Sequence, residues 1–191
     1  MARCENLVRF ILKWETGVSD ERMANEPLFE KAKKKGFAND PSDLGGATMC
    51  GITLKTYTEY RKRKGLTKPT VEDLKAISYG EWLEVLKTMF WDRWKADQIQ
   101  NQSVANFLVD WVWSSGVYGI KLPQKVLNVS IDGVVGPKTL AAINEKDPAI
   151  VFGLMKQERI DYTERICKSR AQNRKFRTGW LNRINDLKYK P

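Results

Sequence analysis

The sequence contains no histidine. That excludes Ser-His-Asp and Cys-His catalysis in their usual forms, and hydrolysis at a histidine-ligated metal. Its three cysteines, Cys4, Cys50 and Cys167, are odd in number and widely spaced, with no CxxC pair. A disulfide framework or a zinc site is not expected, and synthesis in a reducing compartment is. No apolar run approaches the roughly 18 residues that a membrane span needs. Low-complexity tracts and internal repeats are missing too. Arg3, Glu5, Arg9 and Lys13 break up the apolar stretch near the start, so no secretory signal is expected. These absences together point to a protein made in the cytoplasm, without a membrane span, and needing neither metal nor cofactor. Any hydrolysis it performs has to rest on carboxylates.

What is present is enough to build a core: 191 residues with seven tryptophans. The formal net charge is +10. Such a balance favours an acidic partner, whether nucleic acid, anionic lipid or an anionic cell-wall polymer, without choosing among them. The densest basic runs, Lys33-Lys34-Lys35 and Arg61-Lys62-Arg63-Lys64, read as solvated helix faces and loops. No nucleic-acid motif accompanies them, and no nucleic-acid partner is expected.

Periodicity points to a mainly α chain. Leu7, Ile11 and Trp14 recur at helical spacing, which predicts a helix over residues 5–16 stopped at Gly17. Residues 18–38 are polar and irregular, with a short helix expected over 28–35 and a stop at Gly36. Dense turn chemistry follows from Asn39 to Gly46. Residues 47–52 read as one small extended or hairpin element. Thr53, Thr70 with Asp73, Ser78 with Glu81, and Ser103 each open a helix, and the last of these stops near Gly116. Further helices are expected over 120–128, from Pro137 to about residue 144, from Asp147-Pro148 to about residue 168, and after Thr178.

Two features carry possible chemistry. Glu15 lies at the end of an apolar helix, beside Trp14 and just before a turn. Apolar surroundings disfavour the ionised form of a carboxyl and suit it to general-acid work. The loop that holds Asp40, Asp43, Gly45, Gly46 and Thr48 offers carboxylates on a backbone that glycine lets a ligand approach. Glycoside hydrolysis needs such a pair: one group protonates the leaving oxygen, and the other handles water or the developing positive charge. On spacing alone both features also read as ordinary structure, a partly exposed helix glutamate and a self-capped turn. Asp110, in an otherwise apolar helix, reads either as a buried polar group satisfied by a neighbouring loop or as part of a groove floor. Trp91, Trp94, Trp111 and Trp113 are candidates for stacking on sugar rings, although most tryptophans in such a chain are core.

The order of these segments resembles the glycosyl hydrolase 108 family. Members typically read EGG, then NDPxDPGGxTxxGIT; here the residues are Glu15-Thr16-Gly17, then Asn39-Asp40-Pro41-Ser42-Asp43-Leu44-Gly45-Gly46-Ala47-Thr48 and Gly51-Ile52-Thr53. Val109-Asp110 through Ser115-Gly116 is similar to the family's FDxxVNxG stretch, with Ser114 where Asn is usual. Asp132-Gly133-Val134-Val135-Gly136-Pro137-Lys138-Thr139-Leu140 matches the DGxxGPxTL motif of the associated peptidoglycan-binding region, and Gly179-Trp180-Leu181-Asn182-Arg183 matches a recurring GWxNR. The stretch between Glu15 and Asn39 is much longer than the family's usual few residues.

The resemblance implies a lysozyme-like helical fold and cleavage of the β-1,4 bond between N-acetylmuramic acid and N-acetylglucosamine. It implies Glu15 as the catalytic acid. The related phage-type pattern falls on Asp43, as charge stabiliser or water guide, and on Thr48, which positions that water. Asp40, Gly45, Gly46, Asp110, Trp113 and Ser114 would contact substrate. Residues 1–96 would form the catalytic region and 97–191 a peptidoglycan-binding region. The partner implied is bacterial peptidoglycan, met as a monomer in the periplasm or wall after release, in a phage, prophage or secretion-associated setting. Family relatives are also described as secretion activators, so the resemblance equally admits a catalytically idle wall-binder that assists secretion or phage release.

Overall fold

A computed structural model describes residues 1–39 and 46–191. The fold is mainly α, with a small antiparallel sheet. The chain forms two compact units, residues 4–90 and residues 91–191 together with 1–3. Among the described residues no helix is long and apolar enough to cross a membrane.

In the first unit, α1 (Glu5–Thr16) buries the stripe Leu7, Val8, Ile11 and Leu12. It stops at Gly17, whose φ of 70° is left-handed and whose N–H bonds Lys13 O at 2.9 Å. The long stretch that follows is not irregular throughout. Arg9 donates to Glu21 O at 2.7 Å and pins its first part. Then α2 (Asn25–Lys33) buries Leu28, Phe29 and Ala32. This helix begins three residues before the expected 28, because Pro27 sits in its first turn, where a missing N–H costs nothing.

The sheet runs in the order β1 (Phe37–Ala38), β2 (Thr48–Met49), β3 (Ile52–Thr53). Of the extended or hairpin element expected over residues 47–52, the hairpin is what forms. Met49 pairs with Ile52 across a two-residue turn, with φ of 46° at Cys50 and 81° at Gly51. Positive φ at both central positions is what a tight hairpin turn demands. Helix α3 (Leu54–Arg63) is capped by Thr53, and α4 (Val71–Ala76) by the expected Thr70/Asp73 box. At α5 (Tyr79–Leu86) only half of the expected box forms. Ser78 accepts from Glu81 N, but the Glu81 carboxylate accepts from Tyr57 Oη at 2.8 Å instead of returning to Ser78. Tyr60 Oη bonds Glu84 in the same way at 2.7 Å, so two tyrosines tie α3 to α5. Helix α5 continues into a π-helical turn at Lys87–Trp91.

The second unit is built on α6 (Gln102–Ser115), buried from Ser103 to Asp110 except at Asn106, and again at Trp111 and Val112. Asn101 caps it, not Ser103; the Ser103 hydroxyl accepts from Lys190 N at 2.9 Å. Helices α7 (Tyr118–Val126) and α9 (Pro148–Ser169) pack on α6, α8 (Pro137–Asn144) on α9, and α10 (Arg177–Asp186) on α9. Gly119 lets α7 approach closely: a Cβ there would lie 2.5 Å from the backbone of Trp111 and Val112. Trp91, Trp94 and Trp111 are fully buried, which makes them core and removes them from sugar stacking.

The DGxxGP loop is held from inside. Buried Gln124 donates to Asp132 Oδ1 at 2.8 Å and to Val134 O at 3.0 Å, and accepts from Gly133 N at 2.9 Å. Asp132 Oδ1 also accepts from Val134 N at 2.9 Å. This aspartate is engaged in shaping the turn that leads into α8.

At the centre of the unit, fully buried Asp110 meets two cations. Arg183 donates to Oδ1 at 2.7 Å, and Arg159 to Oδ2 at 2.8 Å. Burial pushes this carboxyl up, but Arg183 and then Arg159 outweigh it and hold Asp110 below the usual range. One buried acid thus joins α6, α9 and α10. Its stabilisation is present above the unfolded carboxyl value of about 4 and is lost as pH falls through the lowered folded value. Asp110→Asn takes the counter-ion from buried Arg159 and weakens the tie to half-buried Arg183. It is expected to cost about 3–5 kcal/mol of unfolding free energy at neutral pH, measured by urea denaturation; a loss below about 1 kcal/mol would contradict this account.

Candidate active site

The end of α1 and the hairpin β1–β3 meet at Gly36. A Cβ on Gly36 would lie 2.5 Å from Cys50 Sγ, 3.1 Å from Thr16 Cγ2 and 3.2 Å from Ala32 O. The absence of a side chain there lets the last turn of α1, the end of α2 and the turn of the hairpin close on one another. Cys50 N bonds Gly36 O at 2.8 Å, and Trp82 Nε1 bonds Cys50 O at 3.1 Å from beneath. The hairpin is thereby fixed from both sides.

Glu15 is the residue before Thr16 and is half-buried. Its charge acts at Cys50. Burial pushes that thiol up to about 12; nearby Lys33 opposes the rise, and Glu15 and Glu30 add to it. Cys50 is accordingly a protonated packing group and no nucleophile at neutral pH. The departure from EGG to Glu15-Thr16-Gly17 also has a local account. Thr16 lies within the helix, where its hydroxyl bonds Leu12 O at 2.7 Å and receives Val18 N at 3.2 Å, while its methyl faces Gly36. Only Gly17 needs the left-handed conformation.

Thr48 is half-buried on β2, opposite Ala38 on one side and Thr53 on the other. Gly46 is exposed with φ of 65°. Asp40, Asp43 and Gly45 lie outside the described residues. The structure therefore brings the Glu15 end of α1 together with the hairpin that bears Thr48, both within the first unit.

Asp110, Trp113 and Ser114 belong to the second unit. Asp110 has no exposed surface, and both its oxygens are engaged by arginine. Trp113 is half-buried and Ser114 exposed, with the Ser114 hydroxyl accepting from Arg159 Nη2 at 2.9 Å. Sequence reasoning missed Arg159 altogether and met Arg183 only as the last letter of a motif. Their pairing with Asp110 leaves no local pattern. The basic run at the end of α3 is partly paired internally, Arg63 with Glu59 at 3.1 Å and Arg61 over the Tyr57 ring at 5.6 Å.

Comparison with known proteins bears on the same segments. The family model described as Glycosyl hydrolase 108 matches residues 32–116, and the one described as Predicted Peptidoglycan domain matches residues 118–185. The first match contains the Asn39–Thr53 and Asp110–Gly116 motifs; Glu15 lies ahead of it. Among solved structures, that of Brucella abortus SagA is similar at 27% identity, with a TM-score of 0.68 over 84% of this chain and 91% of that one. Comparison with curated protein sequences gives no match.

The Gly36 contact can be tested by crowding it. Gly36→Ala is expected to cost about 1–3 kcal/mol and to loosen the hairpin from α1. Cys50→Gly in the same chain removes the opposing sulfur and suits a positive φ, so the double variant should regain most of the loss in a thermal melt. Equal stability of Gly36→Ala and wild type would show that the close approach is unimportant.

Proposed function

We propose, for a chain that belongs to the glycosyl hydrolase 108 family and carries a peptidoglycan domain behind that region, that it is a muramidase. In this reading it cuts the β-1,4 bond between N-acetylmuramic acid and N-acetylglucosamine. Glu15 is the general acid, protonating the glycosidic oxygen as the bond breaks. Asp43 stabilises the oxocarbenium-like charge or guides water, Thr48 positions that water, and Asp40 stands in reserve for Asp43. The observation that supports this most is the junction at Gly36, where the half-buried Glu15 end of an apolar helix abuts the hairpin carrying Thr48. Half-burial at a helix end gives a carboxyl both an apolar flank and access to a ligand.

The residues 4–90 unit would perform the cleavage, and residues 91–191 would hold the wall polymer. The protein would act on the wall as a monomer, in the periplasm or beyond, after release in a phage, prophage or secretion-associated setting. A net charge of +10 favours residence on an anionic polymer.

A second reading, a wall-binder that assists secretion or release without cutting, draws on one observation: Glu15 lies outside the matched family region. The two readings part on a single variant. In the muramidase, Glu15→Gln lowers the release of reducing ends from purified sacculi by about a hundredfold to ten-thousandfold, while pelleting with sacculi is unchanged. Undiminished cutting by that variant rules out Glu15 as the acid, and wild-type binding without any release selects the second reading.

A further inference from the structure

A cleft of about 200 Å³ is lined wholly by residues of the second unit. Its wall includes Ser114, Arg159, Tyr162, Ile166, Trp180 and Arg183. Arg159 is 4% exposed, yet its Nη1 has no hydrogen-bond partner among the described residues. Its Nη2 is occupied by Asp110 at 2.8 Å and Ser114 at 2.9 Å. Asp110 divides its charge between Arg159 and Arg183, so it neutralises Arg159 only in part. A buried guanidinium with an unanswered donor costs free energy, and an anion nearby reduces that cost.

The rest of the wall indicates the kind of anion. Tyr162 stacks on Tyr118 at 5.8 Å, and Trp180 on Phe176 at 5.6 Å. Tyr118 and Phe176 are 53% and 48% exposed, so each stack continues out to the surface. Ile166 adds an aliphatic face. At about 200 Å³ the cleft is below the range of pockets that enclose a drug-sized ligand. It fits an end group, one charge with a small apolar neighbour, and not a disaccharide.

We propose that this cleft binds the terminal carboxylate of a short peptide, of the kind that the stem peptides of peptidoglycan carry. The field of Arg159 draws the carboxylate in. Tyr162 stands on the same wall, where its hydroxyl would donate to the carboxylate, and Trp180 covers the adjoining side chain. The inference rests on the reading that this chain works on peptidoglycan, and it makes the second unit the part that holds a peptide end.

The proposal can be tested by calorimetric titration of the whole protein with three probes. These are diacetyl-lysyl-D-alanyl-D-alanine, the same peptide with a C-terminal amide, and free N-acetylmuramic acid, whose lactyl carboxylate is the other source of this chemistry. The acid peptide is expected to bind, and the amide to bind about tenfold more weakly or worse. N-acetylmuramic acid should be weaker than the peptide. Arg159→Met removes the cation but disturbs the Asp110 cluster. Trp180→Ala leaves that cluster in place and is expected to weaken the acid peptide by about tenfold, with the far-ultraviolet spectrum unchanged. Equal affinity for acid and amide, N-acetylmuramic acid binding more tightly than the peptide, or full affinity in Trp180→Ala would overturn the proposal. Sacculus cleavage by the same preparation separates the two readings. Cutting without acid-selective binding removes the cleft proposal alone, and acid-selective binding without cutting removes the muramidase reading alone.

Discussion

The first unit depends on one contact without a side chain. At Gly36 three elements crowd the place a Cβ would take: Cys50 Sγ, on the hairpin side, lies within a distance that no Cβ tolerates, and Thr16 and Ala32 leave little room beside it. The placement of the Glu15 end of α1 beside the hairpin that bears Thr48 follows from that junction. The apolar stripe of α1 fixes the helix against α2, Gly17 ends it one turn after Lys13, and Thr16 rests its methyl on Gly36. Glu15 therefore comes to the hairpin on the last turn of a packed helix. The strain of a non-glycine residue at φ 46° is held in place by Trp82 and by the Gly36 carbonyl.

The second unit adds a buried charge cluster to the close approach at Gly119. Among the described residues Asp110 is the acid that pairs with Arg159, and it is shared with Arg183. Such a buried cluster adds less net stability than an apolar core of the same volume, but removing one member is costly. It also sets the register of α9 and α10 against α6, since the fork of a guanidinium fixes both distance and direction. The motif GWxNR acquires a physical meaning from this. Its arginine reaches an aspartate 73 positions earlier, and its tryptophan lines the cleft beside it.

Local signals in the sequence were legible wherever a single turn decides the structure. The α1 stripe, the caps at Thr53 and Thr70, Pro137 at the head of α8 and Asp147 at the head of α9 all read correctly, because each is decided within a turn or two of the chain: the stripe by its spacing, the proline by its fixed φ, and the caps by bonds between residues two or three apart. A hairpin was one of two readings of residues 47–52, but the position of its turn was not legible, since Cys50-Gly51 lacks the asparagine or aspartate that usually marks such a turn. Ser103 looked like a cap and is not, because Asn101 reaches Val104 first and the far end of the chain claims the serine. Glu81 looked like half of a box and is held by a tyrosine 24 residues away. Of the candidate site, motif order singled out Glu15 and Thr48. The contact that unites their elements was not, because a glycine marked only as a helix stop says nothing of what approaches it. The boundaries also differ by kind: α6 lies within the glycosyl hydrolase match at residues 32–116, yet it forms the core of the unit that begins at Trp91.

The claim at the centre of this account is that the chain breaks a glycosidic bond on the muramic acid side. Digestion of purified sacculi by the wild-type protein, followed by borohydride reduction and mass spectrometry of the fragments, addresses it directly. The account requires new ends that reduce to muramitol. Ends that reduce to glucosaminitol, or an undigested polymer, would contradict it.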